Sequence, residues 1–263
     1  MYQGFYNLVS GMLTQSRNLN VISNNMVNVQ TPGYKNDTMV ATTFQEEMFR
    51  RSGRWGNSAD QDLITRSKIV TASETYVDYT QGNYDPTGGI YDFALAGNGF
   101  FCIRTNDGQT RYTRNGSFAV DQDGYLVLND QGRVLGANGQ PIQIGNEEFS
   151  VDSRGRITGR SVTYENGQSQ VNVQDFGTLR VVDFVDYDQL HREDNGLFST
   201  DQAALAASED TQVLWQNLEH SNVDMVEEMT SMMSSQRALQ SAAQMLKMYD
   251  RIMEKSSVDI GRV

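Results

Sequence analysis

Both ends of the chain carry apolar residues at alternating three- and four-residue spacings, and the stretch between them is punctuated by glycine. At the front, Phe5, Leu8, Met12, Leu19, Ile22, Met26 and Val29 share one face, with Gln15 in its one polar slot. At the back, Met225, Met229, Met232, Leu239, Ala243, Leu246 and Met253 repeat the pattern, interrupted by Gln236 and Asp250. Such a stripe is the seam of helices that lie side by side with slight supercoiling. Two helices that open and close a chain around a β-rich middle predict an α+β fold. Its long N- and C-terminal helices form a coiled-coil-like bundle, and a central all-β domain is built of short strands and glycine turns.

The pattern divides the chain into an N-terminal helix in 1–35, an extended connector in 36–75, a β domain in 76–210 and a C-terminal helix in 211–263. The first helix reads over 2–30. Thr31-Pro32-Gly33 stops it, because proline disfavours helix in the residue before it and glycine relaxes the turn after it. Inside the connector, Thr43 to Arg51 suits a short helix and Arg51 to Asp62 a polar loop. In the β domain, Gly108, Gly116, Gly124, Gly132 and Gly139 recur every seven or eight residues, mostly in Asn-Gly or Asp-Gly pairs that favour tight hairpins. A second β stretch includes Val171, Val173, Leu179 to Val182 and Phe184. Residues 201–218, alanine-rich and polar, read as an extended connection. The last helix starts near Ser221-Asn222, capped by Asn222 or Asp224, and runs to about Lys255.

Charge and composition narrow the function. A net charge of -12 argues against nucleic acid, whose phosphates need clustered lysine and arginine, and no basic run exceeds Arg50-Arg51. No stretch approaches the ~18 apolar residues of a membrane span, so no direct membrane insertion is expected. The first basic residue is Arg17, which does not suit a secretory signal. One cysteine, Cys102, excludes an internal disulfide.

Sites for catalysis or cofactors are poorly represented. Gly97-Asn98-Gly99 begins a dinucleotide pattern, but Cys102 holds the third glycine position and no helix follows. Asp121-Gln122-Asp123-Gly124 hints at calcium, yet Leu126 and Gly132 stand where such a loop needs glycine and glutamate. His191 and His220 are isolated from Cys102 and from each other in sequence. The expectation is a non-enzyme with no metal and no cofactor.

What remains is association. Seven of the twelve methionines fall between Met225 and Met253, and flexible methionine suits an interface with non-identical neighbours as well as an ordinary core stripe. Gln15 and Gln236 are either polar layers that fix register or, if the true stripe is offset by one, solvent-facing. Asn24 and Asn28, four apart, lie away from the Ile22–Met26 face; they form either a solvated last turn or amide contacts to a neighbouring molecule.

Ser23-Asn24-Asn25-Met26-Val27-Asn28-Val29-Gln30-Thr31-Pro32-Gly33-Tyr34-Lys35 resembles the N-terminal signature of bacterial flagellar rod and hook proteins. Tyr79-Thr80-Gln81-Gly82, Leu95-Ala96-Gly97-Asn98-Gly99-Phe100-Phe101 and Tyr112-Thr113-Arg114-Asn115-Gly116-Ser117-Phe118 are similar to the central blocks of that family. Leu218 to Met229, with Gln236-Arg237, resembles its C-terminal signature. Met26 and Val27 depart conservatively from the pattern. Cys102 also departs from it, since axial flagellar proteins generally lack cysteine.

The resemblance implies a structural subunit of the basal-body rod, whose termini pair in the innermost layer of a helical tube with the β domain outside. Its partners would be copies of itself, other rod and hook proteins and the flagellar export apparatus, which exports it to the basal body without a cleaved signal. The implied subunit-interface residues are Leu8, Met12, Leu19, Ile22, Asn24, Asn25, Met26, Asn28, Val29, Thr31 and Gly33 at the front. At the back they are Ser221, Asn222, Val223, Met225, Glu227, Met229, Met232, Gln236, Arg237, Leu239 and Leu246. Competing readings are a hook or hook–filament junction subunit, an adaptor that binds through its methionine-rich helix, and a secreted carbohydrate-active β protein.

Overall fold

The computed structural model describes residues 2–43, 70–128, 131–144, 149–165, 168–193, 195–208 and 210–260. The chain forms two compact units. One comprises Met1–Val27, Asp37–Asp78 and Val223–Val263, the other Asn28–Asn36 and Tyr79–Asn222.

The first unit holds two long helices, α1 (Tyr2–Val27) and α2 (Met225–Ile260), and two strands, β1 (Asp37–Thr43) and β2 (Val70–Val77). The strands pair antiparallel, Asp37 opposite Val77 and Thr43 opposite Val70, with a bulge at Val40/Ala41. α1 packs against α2 and against both strands. The short helix expected over Thr43 to Arg51 begins on Thr43, which ends β1; its remainder and the polar loop lie outside the described residues.

α2 starts at Met225 because Asp224 caps it, its Oδ1 accepting from the amides of Val226 (2.8 Å) and Glu227 (3.3 Å). The helix runs to Ile260, past the end expected near Lys255, since Ser256 to Asp259 contain neither glycine nor proline. α1 ends at Val27, earlier than the expected residue 30. There Asn28 caps the following turn, its carbonyl accepting from the Thr31 amide (3.0 Å) ahead of Pro32.

The second unit is β-rich. Its strands are β3 (Tyr84–Pro86), β4 (Phe93–Ala96), β5 (Phe100–Thr105), β6 (Thr110–Thr113), β7 (Ala119–Val120), β8 (Leu126–Leu128), β9 (Gly132–Val134) and β10 (Phe149–Val151). They continue with β11 (Arg156–Glu165), β12 (Gln168–Thr178), β13 (Val181–Asp183), β14 (His191–Arg192), β15 (Phe198–Ser199), β16 (Leu205–Ala206), β17 (Gln212–Trp215) and β18 (Asn217–Glu219). The main sheet runs β14-β15-β6-β5-β9-β8-β7, with β13 branching from β5 and carrying β16. β10, β11 and β12 form a separate antiparallel sheet. The core gathers Phe93, Leu95, Phe101, Ile103, Leu126, Leu128, Val134, Ile157, Leu197 and Val213. Burying this apolar surface is the main drive for a unit of such short strands.

The glycine series splits into two jobs. Gly108, Gly124 and Gly139 take positive φ in turns, as tight turns favour. Gly132 does not; a Cβ there would collide with the Arg104 carbonyl oxygen on the facing strand. Residues 201–218 are not merely a connection. They supply β16, β17 and β18, and β17 and β18 pair with β4 and β3 near the start of the unit. Alternation explains this stretch: Val213 is buried in the core, and Trp215 packs on Phe149 while its indole N–H reaches the Ile90 carbonyl.

Candidate functional site

In the helical unit, α1 and α2 run antiparallel along a seam joined by two polar pairs. Asn18 Nδ2 donates to Ser235 Oγ (3.1 Å), and Asn25 Nδ2 donates to Glu228 Oε1 (2.9 Å). The pairs are seven residues apart on both helices, one heptad. Asn25 also engages the first residue of β1, donating to the Asp37 carbonyl (2.9 Å) and accepting from its amide (3.1 Å). Asn25 is therefore a node that joins α1, β1 and α2.

These pairs correct the expected stripe. Met225, Glu228, Met232, Ser235, Leu239, Ala242, Leu246, Tyr249 and Met253 form the less exposed face of α2. Every second position thus lies one residue earlier than the apolar count placed it. Glu228 and Ser235 turn inward because their hydrogen bonds are made there. Met229 and Gln236 turn outward, and Gln236 is not a polar layer of this seam. Gln15 is half-buried.

The outward faces are greasy. Tyr6, Val9 and Leu13 are exposed on α1; Val226, Met229, Met233, Met245, Met248 and Ile252 are exposed on α2. Of the residues expected at an interface, Ile22, Asn25, Gly33 and Val223 are buried, while Leu8, Met12, Leu19, Met26, Asn28, Val29, Thr31, Ser221, Asn222, Met225, Met232, Leu239 and Leu246 are half-buried. Asn24, Glu227, Met229, Gln236 and Arg237 are exposed. Asn28 does not point away from its own chain: its Oδ1 accepts from Thr31 Oγ1 (3.2 Å).

In the β unit, sequence blocks far apart converge on Glu219. Lys35 Nζ donates to Glu219 Oε1 (2.6 Å) and to the Thr80 carbonyl (2.8 Å), and both charged side chains are 0% exposed. The Gly82 amide donates to the same oxygen (3.2 Å), and Arg114 Nη1 lies 3.4 Å from Oε2. Arg114 Nη2 donates to the Gly97 carbonyl (2.9 Å), with the guanidinium over the Phe100 ring. Gly33 donates its amide to the Glu219 carbonyl (2.7 Å). Its positive φ and the nearness of the Arg114 backbone leave no room for a side chain.

Around this centre, Asn222 Oδ1 accepts from the Asn36 amide (2.7 Å) and Asn222 Nδ2 donates to Thr80. Arg192 donates to the Lys35 carbonyl and stacks over Tyr34. Burial first, then the Glu219 charge, raises the Tyr84 phenol above its ordinary value. The arrangement is a buried clasp that ties Lys35, Gly82 and Arg114 to Glu219. Lys35, Arg114 and Glu219 lie inside the motif blocks but outside the residues singled out there. The available signal was an unusual demand for charge beside strand-forming, apolar neighbours.

Elsewhere, Asp121 and Asp123 both face Arg133 (3.3 and 2.9 Å), so a guanidinium fills the place a cation would take. Cys102 is fully buried, and burial pushes its thiol up to about 12. Among the described residues, no helix is long and apolar enough to cross a membrane.

Three family models match the chain in order: "Flagella basal body rod protein" over 5–35, "Flagellar hook protein FlgE/F/G D1 domain" over 94–180, and "Flagellar basal body rod FlgEFG protein C-terminal" over 216–258. The chain is 32% identical to the flagellar basal-body rod protein FlgG of Bacillus subtilis, covering 97% of this chain and 98% of that one. It is 31% identical to FlgG of Buchnera aphidicola subsp. Schizaphis graminum (94% and 96%). It is 30% identical to the rod protein FlgF of Caulobacter vibrioides (94% and 93%).

Proposed function

This chain belongs to the flagellar basal-body rod protein family and is a structural subunit of that rod, and we propose that its terminal helices build it into a helical polymer. The supporting observation is the inversion of the helix pair. Hydrogen-bonded polar pairs sit inside the seam, and Tyr6, Val9, Leu13, Met229, Met233, Met245, Met248 and Ile252 face outward. A helix pair that ended its own assembly would place these residues the other way round.

On this reading α1 and α2 form the axial core as a coiled-coil-like pair, and copies or axial relatives cover the outward faces. Contacts that do not close into a ring generate a helical tube. At ~1.5 Å per residue the 36-residue α2 spans about 54 Å, a length suited to carrying torque along an axis. The β1–β2 pair packs on α1 and belongs to that core. Export through the flagellar apparatus completes the reading.

The test is sedimentation of the full chain at rising concentration, with Met229→Asp and Met248→Asp as variants. Concentration-dependent polymers that these substitutions abolish, with the β unit still folded, support the reading. A wild-type chain that remains monomeric alone and with its axial relatives overturns it.

A further inference from the structure

β16 pairs with β13, and no described strand lies on its other side. It runs within Ala203-Ala204-Leu205-Ala206-Ala207, which has no charge, proline or bulge, the devices that normally keep an exposed edge from pairing. Leu205 and Ala206 are both exposed. An unguarded edge of this kind is a template for another extended segment.

Next to it lies a groove of about 370 Å³, lined by Val181, Ala204 and Leu205 and by the Asn138-Gly139 turn, with Arg180 among its walls. Arg104 reaches the same turn, its Nη2 donating to the Gly139 carbonyl (3.0 Å). Arg111, Arg114, Arg133 and Arg156 of this unit each face a carboxylate. Arg104 and Arg180 face none among the described residues. In a chain of net charge -12, two guanidiniums that face no carboxylate among the described residues, Arg180 in the groove wall and Arg104 at its turn, complement an acidic strand.

We propose that this groove receives an extended acidic segment of a second copy of the chain, whose backbone adds to the β16 edge while a carboxylate meets Arg180. The proposal rests on the assembly reading above and deepens it, adding a lateral contact between β units to the contacts of the helices. A second copy is the occupant with the matching charge: the chain carries 33 acidic residues against 21 basic ones.

Site-specific photo-crosslinking tests this. Leu205 is replaced by a benzoylphenylalanine in the full chain, the protein is brought to concentrations at which it sediments as a polymer, and adducts are mapped by mass spectrometry. The expected adduct joins two copies through a peptide containing Asp or Glu. Arg180→Glu reduces its yield roughly fivefold, and Arg180→Gln reduces it less. Replacing the mapped carboxylate by lysine restores it in the Arg180→Glu chain. Near-ultraviolet circular dichroism of each variant confirms an intact β unit. Polymers without an intermolecular adduct, or an adduct indifferent to Arg180→Glu, overturn the groove and leave helix-driven assembly standing. A chain that never self-associates overturns the assembly reading and the groove with it.

Discussion

Lys35 and Glu219 are separated by 184 residues in the chain and by 2.6 Å in space. Removing one partner strands the other charge in a dry site, which costs about 3–5 kcal/mol. Lys35→Met should therefore lower the urea midpoint of the β unit sharply. Lys35→Met combined with Glu219→Leu and Arg114→Met should recover part of the loss, because apolar groups of similar size need no counter-charge and no charge of the cluster is left buried alone. A second residue-scale expectation concerns pH. Burial holds the Cys102 thiol at about 12, and burial with the Asp183 hydrogen bond holds the Tyr187 phenol at about 12. Both folded values lie above those of the unfolded chain, near 9 and 10. The stability tied to these groups is thus fully present below pH 9 and is lost as pH rises toward 12. Denaturant titrations across that range should show the decline, and Cys102→Ala should make it shallower. The pairing of Lys35 with Glu219 was not legible in the sequence, since spacing carries no information about groups 184 positions apart.

At the scale of elements, the helices and the turn glycines were legible because their causes are local. The spacing of Leu8, Met12, Leu19 and Ile22 marks a helix whatever it packs against, and Asp224 caps α2 through its own next two amides. Asp224→Ala should reduce helix stability by ~1 kcal/mol, read as faster amide exchange in the first turn of α2. The register of the seam was not legible. An apolar count prefers Met229 to Glu228, and only the partner across the seam, Asn25, reverses that choice. Asn18/Ser235 and Asn25/Glu228 act as register pins, as isolated polar layers do between helices. Asn18→Leu with Ser235→Leu should raise the melting temperature of the helical unit while blurring its register, seen as duplicated backbone resonances for α1. A single set of sharp resonances would refute the pinning role. Residues 212–219 escaped the reading for a similar reason: a four-residue strand such as β17 is too short to declare itself without β4 beside it.

For the molecule as a whole, the two units make different demands. The β unit encloses its own core and ties its two ends together at the clasp. The helical unit keeps polar pairs inside and leaves methionine, valine, leucine, isoleucine and tyrosine side chains outside. Family membership supplies the setting, a flagellar rod, and the proposal adds that the exposed helix faces drive assembly. The central claim is that these helices gain their burial from neighbouring molecules. Hydrogen exchange compared between the dilute chain and the assembled form tests it most directly. The account predicts that amides of residues 5–27 and 226–256 exchange readily in the dilute chain, while those of β5 and β8 are protected, and that the helical amides become protected on assembly. Strong protection of the helices already in the dilute chain, unchanged on assembly, would contradict it.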